Sequence, residues 1–555
     1  MSGPPCRVPA PSQRGYSLAT QLGSSLRARS FAASVASLAF LGLTVPGFAA
    51  YTTPGTGGSY SLDDLVALSG GVVTGSAPDY QLHDSLILST TDLLTIPAGT
   101  RVEIQDTAGT VRIDVNGSLR AIGALGDSIR FESATGAPGD WDGFDFRDTT
   151  AGSTFEMEYC VIEDATIAID VVSADARLEK CAIRGSDEKA FDLTGSNSIL
   201  RDSVLEDNER QTIYMTLSSS PVIEGNLIRR NNLVNSNPYP YINIGLQGVN
   251  SPTIRGNTIL GGDSFRSGGI SIWNDCYGVI EGNHIEGCGY GILCYQFNAN
   301  PFINDNTIVD NDTNPDTVNW GFGIACNGEN APVIARNRIQ GHNYGIAIIN
   351  GGQPNVGNLA NADPDDDGMN QFLGNGLGGT LYELYNNGTN DISAENNWWG
   401  TMDPQEVEDR IVHSVDDPLL GTVDFEPLLD VSGIVDGSGE PNGGGDPGDG
   451  FGSPGSLPGA DGIAVVAGLE ARPNPTRDGV ALAFRLQTSS EVEISVFSAD
   501  GRRVDGRFLG RLPAGPNEAH WDGRDGAGAR VPAGVYLWRA TTPTGAATGK
   551  VQVVR

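Results

Sequence analysis

Between residues 221 and 350 the chain repeats one short phrase five times. The copies are Val222-Ile-Glu-Gly-Asn226-Leu-Ile228, Thr253-Ile-Arg-Gly-Asn257-Thr-Ile259, Val279-Ile-Glu-Gly-Asn283-His-Ile285, Phe302-Ile-Asn-Asp-Asn306-Thr-Ile308 and Val333-Ile-Ala-Arg-Asn337-Arg-Ile339. Apolar residues alternate at period two around a single polar insertion, a pattern that an amphipathic helix cannot produce. The asparagines lie 31, 26, 23 and 31 residues apart, so a constant core carries loops of varying length. Upstream, Cys160, Cys181 and Ser203 fill the asparagine slot at intervals of 21, 22 and 23 residues. Each copy buries its face only on its neighbours, as the coils of a solenoid do.

A β-rich coil of this length predicts a parallel β-helix, in which successive strands stack at ~4.8 Å and equivalent side chains align. The asparagine, flanked by inward isoleucines, is expected to point inward at a tight turn and to bond to the backbone and to the next coil's asparagine. The repeats resemble the right-handed parallel β-helix superfamily that includes pectate-lyase-like proteins and many bacterial surface proteins. That resemblance implies the handedness. It implies no activity, because no pectate lyase, polygalacturonase or pectin esterase signature can be placed residue by residue on these coils.

The expected organisation is a signal peptide (1–50), a capping segment (51–79), the β-helix (80–430), a linker (431–464) and an Ig-like domain (465–555). Arg27 and Arg29, an apolar run from Phe31 to Leu43 and the small-residue stretch ending Phe48-Ala49-Ala50 read as a secretion signal. The apolar run is shorter than a bilayer span, so no membrane anchor is expected after cleavage. Ser61 and Asp64 approximate a capping box for a helix whose Leu62, Leu65, Val66 and Leu68 would cover the open first coil. The last coil carries Asn396-Asn397-Trp398-Trp399-Gly400, an ending that is similar to that of β-helix surface proteins. These tryptophans read as an end plug.

Residues 431–464 are mostly Gly, Pro, Asp and Ser and read as a flexible linker. Short alternating strands then recur with Asp-Gly turns, as in a small β-sandwich. Asn474-Pro475, Asp500-Gly501-Arg502, Trp521-Asp522-Gly523 and Gly534-Val535-Tyr536 resemble, in order, the Ig-like domain of flagellar hook-capping proteins, and are similar to secretion-sorting tails. The resemblance implies export or surface attachment through secretion or cell-envelope machinery.

A net charge of -34 argues against nucleic acid and anionic membranes as partners and fits a secreted or cell-surface location. Cys160 and Cys181 share the ladder slot one coil apart, and Cys294 and Cys326 share an inward slot with Ile272 and Ile348. Stacked in this way, they could be disulfide-bonded or could serve as buried core filler.

A β-helix presents flat rows of outward side chains suited to an extended polysaccharide. Trp273 and Tyr295 are expected in equivalent outward positions, where rings can stack on sugar faces, followed by Asn274 and Gln296. Asp275 and Glu329 are expected in equivalent positions two coils, or ~10 Å, apart. That separation is near the upper end for an inverting carboxylate pair. In Asp363-Pro-Asp365-Asp-Asp367-Gly368 three carboxylates are spaced as in the first half of a calcium loop, although the position of the closing glutamate is Gly374. Calcium and an ordinary solvated turn both remain open there. Three readings compete: an exported glycan-binding or adhesive β-helix, a polysaccharide lyase or glycoside hydrolase, and a ligand-free structural spacer.

Overall fold

The computed structural model describes residues 49–430 and 466–554, apart from residues 107–108, 148–152, 246 and several turns of the C-terminal part. The expected signal up to residue 48 and the expected linker lie outside the described residues. The chain divides into two compact units, Met1–Asp430 and Val431–Arg555.

Three long sheets of 14, 13 and 11 strands build the first unit, and nearly all their pairings are parallel. Through most of the rod neighbouring strands within each sheet come from successive coils, so each coil gives one strand to each sheet. The fold is an all-β parallel β-helix. Register explains why isoleucine dominates. Ile270, Ile292, Ile324 and Ile346 are successive partners in the largest sheet, and Ile254, Ile280, Ile303 and Ile334 in the smallest. All eight are essentially inaccessible. A β-branched side chain suits a pleated surface, and burying each one contributes roughly 1.5–3 kcal/mol.

The asparagines form the expected ladder. Asn226, Asn257, Asn283, Asn306, Asn337 and Asn370 each donate from Nδ2 to the Oδ1 of the next member, ending at Asn397, at 2.9–3.0 Å. Each Oδ1 also accepts the backbone N–H of the preceding member, as from Asn257 to Asn283 at 3.0 Å. At the N-terminal end Ser203 Oγ accepts from the N–H of Cys181 at 3.0 Å, so a shorter side chain does half the same work.

A second ladder lies five residues further along most coils, interrupted at Gly262, a regularity that the sequence reading missed. Asn208 donates to Asn231, the N–H of Cys288 bonds to Asn311 Oδ1, and the N–H of His342 bonds to Asn375 Oδ1. His342 stands in an asparagine's place: Nδ1 accepts the N–H of Asn311 at 3.1 Å and Nε2 donates to the carbonyl of Ile308 at 3.2 Å. Burial depresses its pKa to about 3, so the ring is neutral, as this bonding requires. The ladder ends on Glu383, which accepts from the N–H groups of Gly374 and Asn375; burial raises its carboxyl to about 7.

Helix Leu62–Leu68 has the full capping box, with Ser61 and Asp64 exchanging bonds. Leu62 and Leu65 join the solenoid core, but Leu68 is 52% exposed, so the covering face is narrower than expected. At the other end Trp399 is fully buried and stacks on Phe372, with centroids 4.4 Å apart and planes 8° apart. All six cysteines of the rod are free thiols and buried. Cys294 and Cys326 are register partners, as expected, but serve as core filler in this structure.

The second unit packs a three-stranded antiparallel sheet with a four-stranded one. Its core gathers Val480, Leu482, Phe484, Val496, Trp521, Tyr536 and Trp538. The Nε1 of Trp521 donates to the carbonyl of Arg524 at 2.8 Å, fixing the turn after Trp521-Asp522-Gly523.

Candidate functional site

The largest sheet carries the candidate site on its outer face. Strand Gly268–Trp273 pairs with Ile292–Tyr295, and Trp273 and Tyr295 are register partners. Alternation forces both outward, because Ile272 and Cys294 point into the core. Their centroids are 4.6 Å apart with planes at 62°, an edge-to-face pair, and both rings are half-buried. Asn327 occupies the next position in this column.

The corner after these strands holds the polar candidates. Asn274, Asp275 and Gln296 all have positive φ (45°, 35° and 66°), a left-handed corner that asparagine and aspartate tolerate better than most residues. Asp275 Oδ1 accepts from Asn298 Nδ2 at 2.9 Å, and the N–H of Asn298 bonds to the Glu329 carbonyl at 3.0 Å. The two acids therefore sit on either side of Asn298 at one corner of three successive coils. Glu329 is exposed and Asp275 is half-buried.

The sequence reading missed two rings here. Phe297 and Tyr277, each 50% exposed, flank the same corner, and Val249 does so on the preceding coil at 54%. Cys276 bridges to Asn250 on one side and Ala299 on the other, which fixes this alignment. Large apolar residues stand outside at one corner of consecutive coils, where no period of two assigns a direction to a side chain.

Two other outward groups share the sheet. Asp114, Asp145, Asp170 and Asp192 are successive register partners. Asp114, Asp145 and Asp192 pair with Arg112, Arg147 and Lys189, whereas Asp170 has only Arg147 at 3.9 Å. Burial, then the charges of Asp192 and Asp145, raises Asp170 to about 6. Further along, Tyr290, Phe322 and Tyr344 form a small outer core beneath Trp320, Tyr382 and Tyr385.

The acidic loop differs from its calcium-loop expectation. Residues Pro364–Asp366 form a 3-10 turn, and Asp363 caps it by accepting the N–H of Asp365 at 3.1 Å. Asp366, between the expected ligands, takes the amides of Asn355 and Asn361. Among the described residues no group of three or more His, Cys, Asp or Glu comes together to hold a metal, so Asp363, Asp365 and Asp367 are not assembled as a cation site.

Two family models match parts of the chain: NosD, described as a periplasmic copper-binding protein, over residues 150–321, and the FlgD Ig-like domain over residues 474–546. The rod and the C-terminal domain are thus similar to known modules, a β-helix family and a hook-capping Ig-like domain. No curated protein matches. Similar solved structures include dimeric latent PorU of Porphyromonas gingivalis, 24% identical over 17% of this chain and 10% of that one, with a TM-score of 0.15. PorZ, a surface component of the type-IX secretion system of Porphyromonas gingivalis, is 25% identical over 16% of this chain and 12% of its own, with a TM-score of 0.13. FlgD of P. aeruginosa is 26% identical over 16% of this chain and 72% of its own, with a TM-score of 0.13. The chain therefore spans about a tenth of the length of PorU and of PorZ.

The residues present do not fit copper. Within the matched stretch the single histidine, His284, is bonded through Nε2 to Glu286 at 2.7 Å. The cysteines are buried among hydrocarbon side chains. The hydrogen bond to Cys181, together with burial, holds the Cys160 thiol in its protonated form, and burial pushes Cys288 up to about 12. A thiol so disfavoured as thiolate is a poor metal ligand. Among the described residues no helix is long and apolar enough to cross a membrane.

Proposed function

We propose that the protein is an exported surface protein whose β-helix binds an extended polysaccharide across the outer face of its largest sheet, while the C-terminal domain serves export or anchorage. The observation that carries the reading is the edge-to-face pair of Trp273 and Tyr295, half-exposed and in register on adjacent coils. Rings held on a rigid scaffold offer apolar area to sugar faces at little entropic cost. Asn274 and Gln296 follow them, supplying amides for hydroxyls, with Asp275 and Glu329 as acceptors at the corner beyond. The likeness of the C-terminal domain to the FlgD Ig-like domain supports a role outside the cytoplasm, as does the match of the rod to a family described as periplasmic.

A polysaccharide array probed with the secreted chain tests the proposal. Binding to a defined polymer class that is lost in Trp273→Ala supports it. A blank array refutes it and leaves the spacer reading, and binding unchanged by Trp273→Ala refutes this face as the site.

A further inference from the structure

The charge around the platform narrows the ligand, an inference that rests on the polysaccharide reading. Of the nine carboxylates and two arginines in residues 231–330, Asp275 and Glu329 lie at the corner, whereas others, such as Glu281 and Glu286, sit on the other two sheets. Neither arginine serves the corner. Arg255 bonds through Nε to Glu224 at 3.0 Å on the smallest sheet, and Arg266 donates to the Ser236 carbonyl at 3.0 Å. The corner itself offers Asp275 and Glu329 beside Asn274, Gln296 and Asn298, bordered by Trp273, Tyr295, Phe297 and Tyr277. Within a chain of net charge -34 this concentrates negative potential next to exposed rings. A uronate or sulfated polymer would meet like charge there. A protonated amine would find carboxylates and ring faces together.

We infer that the ligand is an amino-sugar polymer with free amines, whose ammonium groups are taken by Asp275 and Glu329 and whose ring faces lie on Trp273, Tyr295 and Phe297. The acceptor geometry is available without rearrangement, because Asp275 is already oriented by Asn298 through one oxygen and can offer the other to a ligand.

The test is calorimetry of the full secreted chain with a short glucosamine oligomer, its fully N-acetylated counterpart, an oligogalacturonate of equal length and an oligolysine. The free-amine sugar should bind about tenfold more tightly than the N-acetylated one, the worth of two exposed ion pairs. Asp275→Asn with Glu329→Gln should erase that preference, and the carboxamide oxygen introduced at position 275 can still accept from Asn298. Trp273→Ala should weaken both sugars and leave oligolysine unaffected, which separates the site from diffuse attraction to an acidic protein. Equal affinity for the two amino sugars, or a preference for the uronate, overturns the inference while the polysaccharide reading stands. Absence of binding to all three sugars also overturns the inference, and the polysaccharide reading then stands or falls on the array alone.

Discussion

Replacing Asn283 by alanine tests the ladder that holds the coils in register. The side chain is 1% exposed and makes four bonds. Its Oδ1 accepts the N–H and the Nδ2 of Asn257, at 3.0 and 2.9 Å, and its Nδ2 donates to Asn306 Oδ1 and to the Ile254 carbonyl, both at 2.9 Å. Alanine removes all four and leaves their partners away from water. At about 1 kcal/mol per bond the loss is about 4 kcal/mol, more if the N–H of Asn257 stays unsatisfied. Serine should cost about 1 kcal/mol less, because Ser203 shows that a hydroxyl in this slot accepts the preceding backbone N–H. Guanidinium unfolding followed by far-ultraviolet circular dichroism measures both. An alanine variant within about 1 kcal/mol of the parent, or a serine variant as damaged as alanine, would refute the reasoning.

Two buried titrating groups give opposite pH dependence. His342 has its pKa lowered to about 3 in the fold, so below about 6.5 the unfolded chain takes a proton that the native one refuses, and stability falls as pH drops. His342→Asn should be spared about 2 kcal/mol of the loss between pH 7 and pH 5; identical pH slopes for variant and parent would contradict this. Glu383 is raised to about 7, so its contribution is present at low pH and is lost as pH rises from 4.5 through 7. Glu383→Gln should flatten that decline, read from unfolding midpoints across the same range. The thiols at 160, 181, 276, 288, 294 and 326 should resist alkylation in the native protein, and all six should react in denaturant without reductant; fewer than six would reveal a disulfide.

The coil was legible because burial on both flanks leaves only isoleucine-like residues around one amide, and five nearly identical copies make the phrase visible. The second ladder was equally regular in position, five residues after the first, but its occupants are Ser186, Asn208, Asn231, Cys288, Asn311, His342 and Asn375. The asparagines and His342 accept a backbone N–H there, but Ser186 Oγ accepts none, Cys288 donates to the Glu286 carbonyl and Gly262 has no side chain, so spacing persisted while identity did not. Trp273 and Tyr295 could be placed by alternation alone. Phe297 and Tyr277 could not, because a corner follows no period of two. The Asp363 loop stayed ambiguous for a related reason: aspartate before proline caps a tight turn as readily as it ligates an ion, and spacing alone does not distinguish the two.

The central claim is that exposed rings on adjacent coils bind a sugar polymer, and calorimetry of the parent, Trp273→Ala and Tyr295→Ala chains against the strongest oligosaccharide from the array tests it most directly. Each substitution should weaken binding at least about fivefold, in line with ~1 kcal/mol for a stacked ring, with the far-ultraviolet circular dichroism of the fold retained. Affinity equal to the parent in both variants would contradict the account.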